Sequence, residues 1–249
     1  MSTRAGIWDT VFKEDFVGLL SKFIKEFFGA PPQPSRGAQQ NRQSPVRPKP
    51  DPQHQVTGVR YEKDSYSELL KQATALKRQG DIDGALLKID RAIAMARPGD
   101  RGRPAAQKKR IYYLLSTKRT EDALKSANQI IAEAPEEAQG NKALVGTCYS
   151  YGYRERARVF LAMKNSTGAF MDYARATWHW HQAMSVQGRA KDEHTPERAA
   201  DELVAELGRC GMPARDTTAL QKAVLEGLRN PDPETMVSSL HQFIQKDQA

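Results

Sequence analysis

Two tryptophans and two histidines alternate in WHWH, residues 178–181, and these histidines look the most like metal ligands of any side chains in the sequence. On a helix, His179 and His181 stand about 200° apart, whereas a helical zinc site takes its ligands at i and i+4. The residues four away from each, Arg175, Ala183, Thr177 and Ser185, are not metal ligands. Packing by Trp178 and Trp180, with the histidines as half-exposed edges, is therefore the expectation, and no metal or cofactor site is expected. Cys148 and Cys210 cannot form a disulfide framework or a Cys-based zinc site by themselves. Both fall in helix-like stretches, where a free cysteine acts as a small hydrophobe, and a reducing, cytoplasmic compartment follows. The sequence contains no P-loop, G-x-G-x-x-G, G-x-S-x-G or H-E-x-x-H, so no enzyme is expected.

Recognition chemistry is better represented. Tyr149, Tyr151 and Tyr153 cluster in TCYSYGYRER, which reads as the end of a helix followed by a turn at Gly152. Tyr149 suits either stacking on a peptide or base or simple packing, and Tyr151 and Tyr153 suit packing. The stretch RPGDRGRPAAQKKR, residues 97–110, carries six cations against Asp100 and is chemically able to meet phosphates. No aromatic interleaves with it before Tyr112.

The net charge of +8 is unevenly spread. Lys+Arg against Asp+Glu runs 10 to 7 over residues 1–65, 14 to 10 over 66–137, 7 to 2 over 138–190 and 7 to 11 over 191–249. A basic middle favours acidic partners. The mean hydropathy of −0.68 indicates that part of the chain lies outside any core. That part is residues 30–60, where PPQPSRGAQQNRQSPVRPKPDPQHQ reads as a disordered Pro/Gln-rich linker with too little apolar surface to offset the entropy of ordering. Before it, residues 8–28 read as an amphipathic helix. Trp8, Phe12, Phe16, Leu19, Leu20, Phe23, Ile24, Phe27 and Phe28 fill an arc of about 200°. Charges interrupt this segment too often for a signal peptide or a membrane span. Residues 1–28 hold four basic and four acidic side chains, which gives no attraction to anionic lipid. Docking on a partner, packing on this protein's own helices and peripheral membrane contact all remain open for residues 1–29.

From residue 61 to 249 the periodicity is helical almost without interruption, with Gly or Pro punctuation at Gly80, Pro98–Pro104, Pro135, Gly152, Gly168, Pro196, Gly211–Pro213 and Asn230–Pro233. In YSELLKQATALKRQGDIDGALLKIDRAIAMARP, residues 66–98, Leu69, Ala73 and Leu76 precede a Gly80-Asp81 turn, and Ala85, Ile89 and Ala92 follow it. The helix-B alanine recurs as Ala123, with Ala127, Ile130 and a terminal Pro135, and again as Ala157 with Leu161. The step from Ala123 to Ala157 is 34 residues; that from Ala85 to Ala123 is 38, with about four extra residues in PGDRGRP. Over residues 66–165 this resembles about three degenerate tetratricopeptide repeats. The resemblance implies an all-α, TPR-like solenoid of helical hairpins, with capping helices over 168–187, 196–209, 216–229 and 233–246.

The same resemblance implies a concave groove lined by Leu70, Thr74, Lys77 and Arg78 from the first repeat, Lys108, Tyr112 and Leu115 from the second, and Lys142, Tyr149 and Ser150 from the third. Cations among tyrosines suit an acidic segment of a protein partner. The asparagines with which one subtype of the family grips a terminal carboxylate are missing from these slots. A non-enzymatic scaffold or adaptor that holds one partner in the groove and docks through its N-terminal helix is the expected function. The alternative is a basic α-solenoid that binds RNA or DNA.

Overall fold

The computed structural model describes residues 65–100, 102–190, 194–212 and 216–248. The expected docking helix, with Trp8, Phe12, Phe16, Leu19, Phe23 and Phe27, and the expected linker lie outside the described residues. The chain divides into two units, Met1–Val59 and Arg60–Ala249, and every described residue lies in the second.

Among the described residues the fold is all-helical: α1 Tyr66–Arg78, α2 Ile82–Met95, α3 Arg103–Ser116, α4 Thr120–Glu137, α5 Lys142–Ala162, α6 Ser166–Val186, α7 Pro196–Arg209, α8 Thr217–Leu228 and α9 Pro233–Gln248. Local chemistry sets most of the starts. Ser65, Asp81, Asn141, Asn165, Thr195, Asp216 and Asp232 each accept a hydrogen bond from a backbone N–H in the first turn that follows, which satisfies one of the orphan donors there. Gly80, Gly140, Gly188 and Gly211 take positive φ just past helix ends, a conformation open to glycine without a Cβ penalty. Lys118 and Lys164 make the same turn with side chains, at φ of 61° and 60°.

Each helix packs on the next in the chain, and α3 also meets α5 while α9 folds back on α6. Two apolar clusters result. One gathers Ala73, Ala85, Ile89, Ile111, Leu114, Ala123 and Ala127 from α1–α4; the other gathers Phe170, Leu203, Leu207, Leu220, Met236 and Leu240 from α6–α9. The small and large positions of the repeat pattern are buried as expected: Leu69, Ala73, Ala85, Ile89, Ala92, Ala123 and Ala127 are fully enclosed, while Leu76 is half-buried. The four C-terminal helices start and stop within about two residues of their expected limits.

Three expected breaks are not breaks. Pro135 lies inside α4, which runs on to Glu137; a proline this near the end removes one N–H without ending the helix. Gly168 lies in the first turn of α6, beneath the Asn165 cap. Gly152 sits in the middle of α5, an unbroken helix of 21 residues. Its ideal Cβ would stand 2.7 Å from Ile131 Cγ1 and 3.2 Å from the Ile131 backbone N, so this glycine is where α4 and α5 touch. Tyr149, Tyr151 and Tyr153 therefore stand in a helix interior, and Ala157 shares α5 with them instead of opening a second helix. The third hairpin is α5 with α6, two helices of 21 residues each.

Gly146 is the equivalent contact on the other side. Its ideal Cβ would lie 2.8 Å from the His179 carbonyl oxygen and 3.0 Å from Ala183 Cβ, both on α6. Glycine to alanine inside a helix ordinarily stabilises by up to about 1 kcal/mol, and Gly208 of α7, with nothing within 4 Å of its Cβ position, should follow that rule. At Gly146 the new methyl meets backbone, so overpacking should dominate and cost about 1–3 kcal/mol. Urea denaturation of Gly146→Ala and Gly208→Ala should thus give shifts of opposite sign; a stabilised Gly146→Ala would mean that α5 and α6 are not in this close contact.

Candidate functional site

The expected groove residues separate into three places. The first is the surface shared by α1 and α3. Leu70, Thr74 and Arg78 line a depression of about 440 Å³ together with Ser67, Lys71, Ala75 and Lys109. Lys77 Nζ lies 4.3 Å from the centre of the Tyr112 ring and 5.1 Å from that of Tyr113, a cation–π arrangement. Tyr112 is 54% exposed, unusual for so large an apolar ring. Lys109 donates a 2.9 Å hydrogen bond to Thr74 Oγ1, which itself donates to the Leu70 carbonyl. Burial, and then the charge of Lys77, push the Lys109 ammonium below its ordinary range. Sequence reasoning passed over Lys109 because the repeat register assigned the groove to Lys108, one residue earlier.

Lys108 turns instead toward α5, with Nζ 3.9 Å from Glu155. Burial lowers its pKa to about 8, against the raising effect of Glu155. Glu155 also holds Arg158, and the Tyr151 hydroxyl donates to the Pro104 carbonyl at 2.6 Å, so this is an α3–α5 joint. Leu115 packs half-buried on the N-terminal cluster. Ser150 is enclosed, which corrects its assignment to the groove surface. Lys142 stands exposed in the first turn of α5.

The stretch 97–110 also looks different once its partners are known. Arg103 is paired with Glu133 at 2.8 Å and Glu137 at 3.0 Å, and Arg110 with Asp90 at 2.6 Å. Gly99 N–H donates to Glu137 and Gln139 donates to the Pro98 carbonyl, which fastens the loop to the end of α4. With Lys108 on Glu155, three of the six cations are paired with carboxylates within the protein. That is a poor surface for following a phosphate backbone.

Tyr149 belongs to the third place, between α5 and α6. His179 stacks on Tyr149 and Tyr153, with ring centres 4.9 Å and 5.5 Å away, and meets Trp178 edge-on at 5.0 Å. Arg156 and Arg175 lie over the Tyr153 ring at 5.1 Å and 5.9 Å. Both converge on Asp172, which is fully buried. Arg156 grips it with two bonds of 2.6 and 2.8 Å, and Arg175 adds one of 3.0 Å. Arg175 also forks onto Glu234 of α9 with two bonds of 2.7 Å, and Arg156 reaches Asn128 of α4. The Trp178 indole donates to the Asn230 carbonyl and Gln182 to that of Leu228. Four helices are thus tied through one buried carboxylate, a network that one-dimensional spacing could not reveal because Asp172 and Glu234 are 62 positions apart. His181, expected as a half-exposed edge, is buried. Among the described residues no group of three or more His, Cys, Asp or Glu side chains is placed to hold a metal, and no helix is long and apolar enough to cross a membrane. Cys148 is half-buried and Cys210 buried; burial pushes both thiols up to about 11.

Removing the buried carboxylate would leave two guanidinium groups without their shared partner. Asp172→Ala should cost about 3–5 kcal/mol in chemical denaturation, and a loss under 1 kcal/mol would show that water replaces it. The stack carries a pH signature as well. Burial lowers the His179 pKa to about 4, with Glu234 raising it and Arg175 lowering it. The unfolded imidazole titrates near 6.5, so between these values the unfolded chain binds more protons, and the stabilising contribution is complete above about 6.5 and lost as pH falls toward 4. His179→Phe keeps the stacking and removes the titration. Its melting temperature should fall less than that of the parent across this window, and identical slopes would place His179 in solvent.

Searches of protein-family models, curated proteins and solved structures returned no match to this chain.

Proposed function

We propose that the protein is a non-enzymatic scaffold that holds an acidic segment of a partner protein on the joint surface of α1 and α3. The observation that carries this reading is the pair Lys77 and Lys109 beside the exposed Tyr112 ring. These side chains come from the first helices of two successive hairpins, the position at which a tetratricopeptide-like array presents its concave face. Packing of each helix on its chain neighbour, with α3 also on α5, supports such an array, in which α5 and α6 form an elongated third hairpin and α7–α9 close the end. Internal pairing of Arg103, Lys108 and Arg110 favours a protein partner over a nucleic acid. Residues 8–28 would supply a second docking element, and two handles on one chain raise the effective concentration of whatever each holds.

Fluorescence anisotropy of the full chain against acidic, neutral and basic peptides and a single-stranded RNA tests this. Acidic peptides should bind at physiological salt, and Lys77→Glu with Lys109→Glu should weaken them roughly ten- to hundredfold, as expected for loss of one or two charge-assisted hydrogen bonds. Helicity should be unchanged. Absence of acidic-peptide binding, or RNA binding as tightly through the same lysines, would overturn the reading.

A further inference from the structure

Six part-buried cations of the described residues are paired with acids. Arg103, Lys108, Arg110, Arg156, Arg158 and Arg175 each face at least one carboxylate. Lys77 and Lys109 face a pair of aromatic rings and a hydroxyl, and among the described residues neither has a carboxylate partner. Burial, and then the charge of Lys77, depress the titration of Lys109. The depression itself is lined by Lys109, Arg78 and Lys71, with Lys77 next to Arg78 on α1, and Lys71 is held only by an exposed contact of 3.8 Å to Glu68. Such surface pairs contribute little and are easily redirected. Two ammonium groups offer six donors, and the one hydrogen bond that Lys109 gives Thr74 leaves most of them for a ligand.

We propose that the rim of this depression binds the phosphate of a phosphoserine or phosphothreonine in the partner segment, held between the ammonium groups of Lys77 and Lys109 with Arg78 at its edge. The inference rests on the reading of the α1–α3 surface as a partner site and names what that site selects. A carboxylate neutralises one of the two lysines. A phosphomonoester carries between one and a half and two negative charges and three acceptor oxygens, so it neutralises both and occupies more of their donors. The apolar lining from Leu70 and Ala75 and the exposed face of Tyr112 are there for the residues flanking it. A nucleic acid presents one charge per phosphate along a line, and the cations that would have to follow that line are the ones already held by Glu133, Glu137, Glu155 and Asp90.

The test is an amide NMR titration of the full chain with N-acetyl-phosphoserine amide, N-acetyl-glutamate amide and a single-stranded RNA. Phosphoserine should give saturable shifts centred on Thr74, Lys77, Arg78 and Lys109, with affinity at least about tenfold above glutamate. Lys77→Gln with Lys109→Gln should weaken it by at least about tenfold, while Lys222→Gln, on the exposed face of α8, should leave it unchanged. The double variant relieves a repulsion and gives up a cation–π contact and a hydrogen bond, and a thermal melt verifies that the fold is kept. Equal affinity for phosphoserine and glutamate overturns the phosphate inference alone and leaves the acidic-partner reading standing. Phosphoserine shifts that ignore the two lysines, no shift at all, or RNA engaging the same residues more tightly would each overturn it. Acidic peptides that fail to bind while phosphoserine still titrates these lysines would remove the scaffold reading and keep the anion site.

Discussion

Helix α5 touches backbone on two sides, and both contacts exist because a side chain is missing. Gly152 admits Ile131 of α4, and Gly146 admits the His179 carbonyl of α6. Protein interiors are packed too tightly for such an approach to survive an added methyl without movement of a whole helix. The position of α5 fixes where Glu155 meets Lys108, where Tyr151 reaches Pro104, and where Arg156 grips Asp172. The N-terminal hairpins and the C-terminal helices are therefore both referenced to one element, and the α1–α3 surface stands on a platform that α5 locates.

Charge does most of the remaining positioning. Asp172 is a fully enclosed carboxylate, and its desolvation is tolerable because three hydrogen bonds from two guanidinium groups reach it. Glu137 likewise pairs with Arg103 and accepts from the Gly99 N–H, which holds the start of the loop after α2 against the end of α4. Against this background of consumed charge, the Lys77–Lys109 pair is conspicuous. The two lysines meet two rings and a hydroxyl, none of which removes a net charge.

Much of this architecture was readable along the chain. Alternation of small and large apolar residues at Leu69, Ala73, Ala85, Ile89 and Ala92 placed the first hairpin and its turn, and Asp81 announced its own helix by capping it. Pro196 marked the start of α7, and the range 216–229 located α8; Thr195 and Asp216 cap them. Glycine misled where it served contact and not conformation: Gly152 is punctuation by composition and a packing surface in space. The turn at Lys164 went unmarked because a residue with a side chain took, as Lys118 also does, a left-handed φ that usually advertises glycine. The site suffered most. Repeat register gives a residue's rotational position only to within about one place, and one place separates Lys108, sunk against Glu155, from Lys109, turned to Thr74. Ion networks such as Asp172 with Arg156 and Glu234 leave no periodic trace at all.

Packing of helices mainly on their chain neighbours also has a kinetic side. Contacts that close short loops can form before much chain entropy has been spent, and chains built of them fold quickly. Hairpins α1–α2, α3–α4 and α5–α6 are all of this local kind. The return of α9 to α6 is not: Arg175 and Glu234 are separated by 59 residues, and Trp178 and Asn230 by 52. Closure of the C-terminal end therefore waits on the placement of α7 and α8, because its contacts close the longer loops. A ribosome releasing this chain would have finished the α1–α3 surface well before the end that seals the second core had emerged.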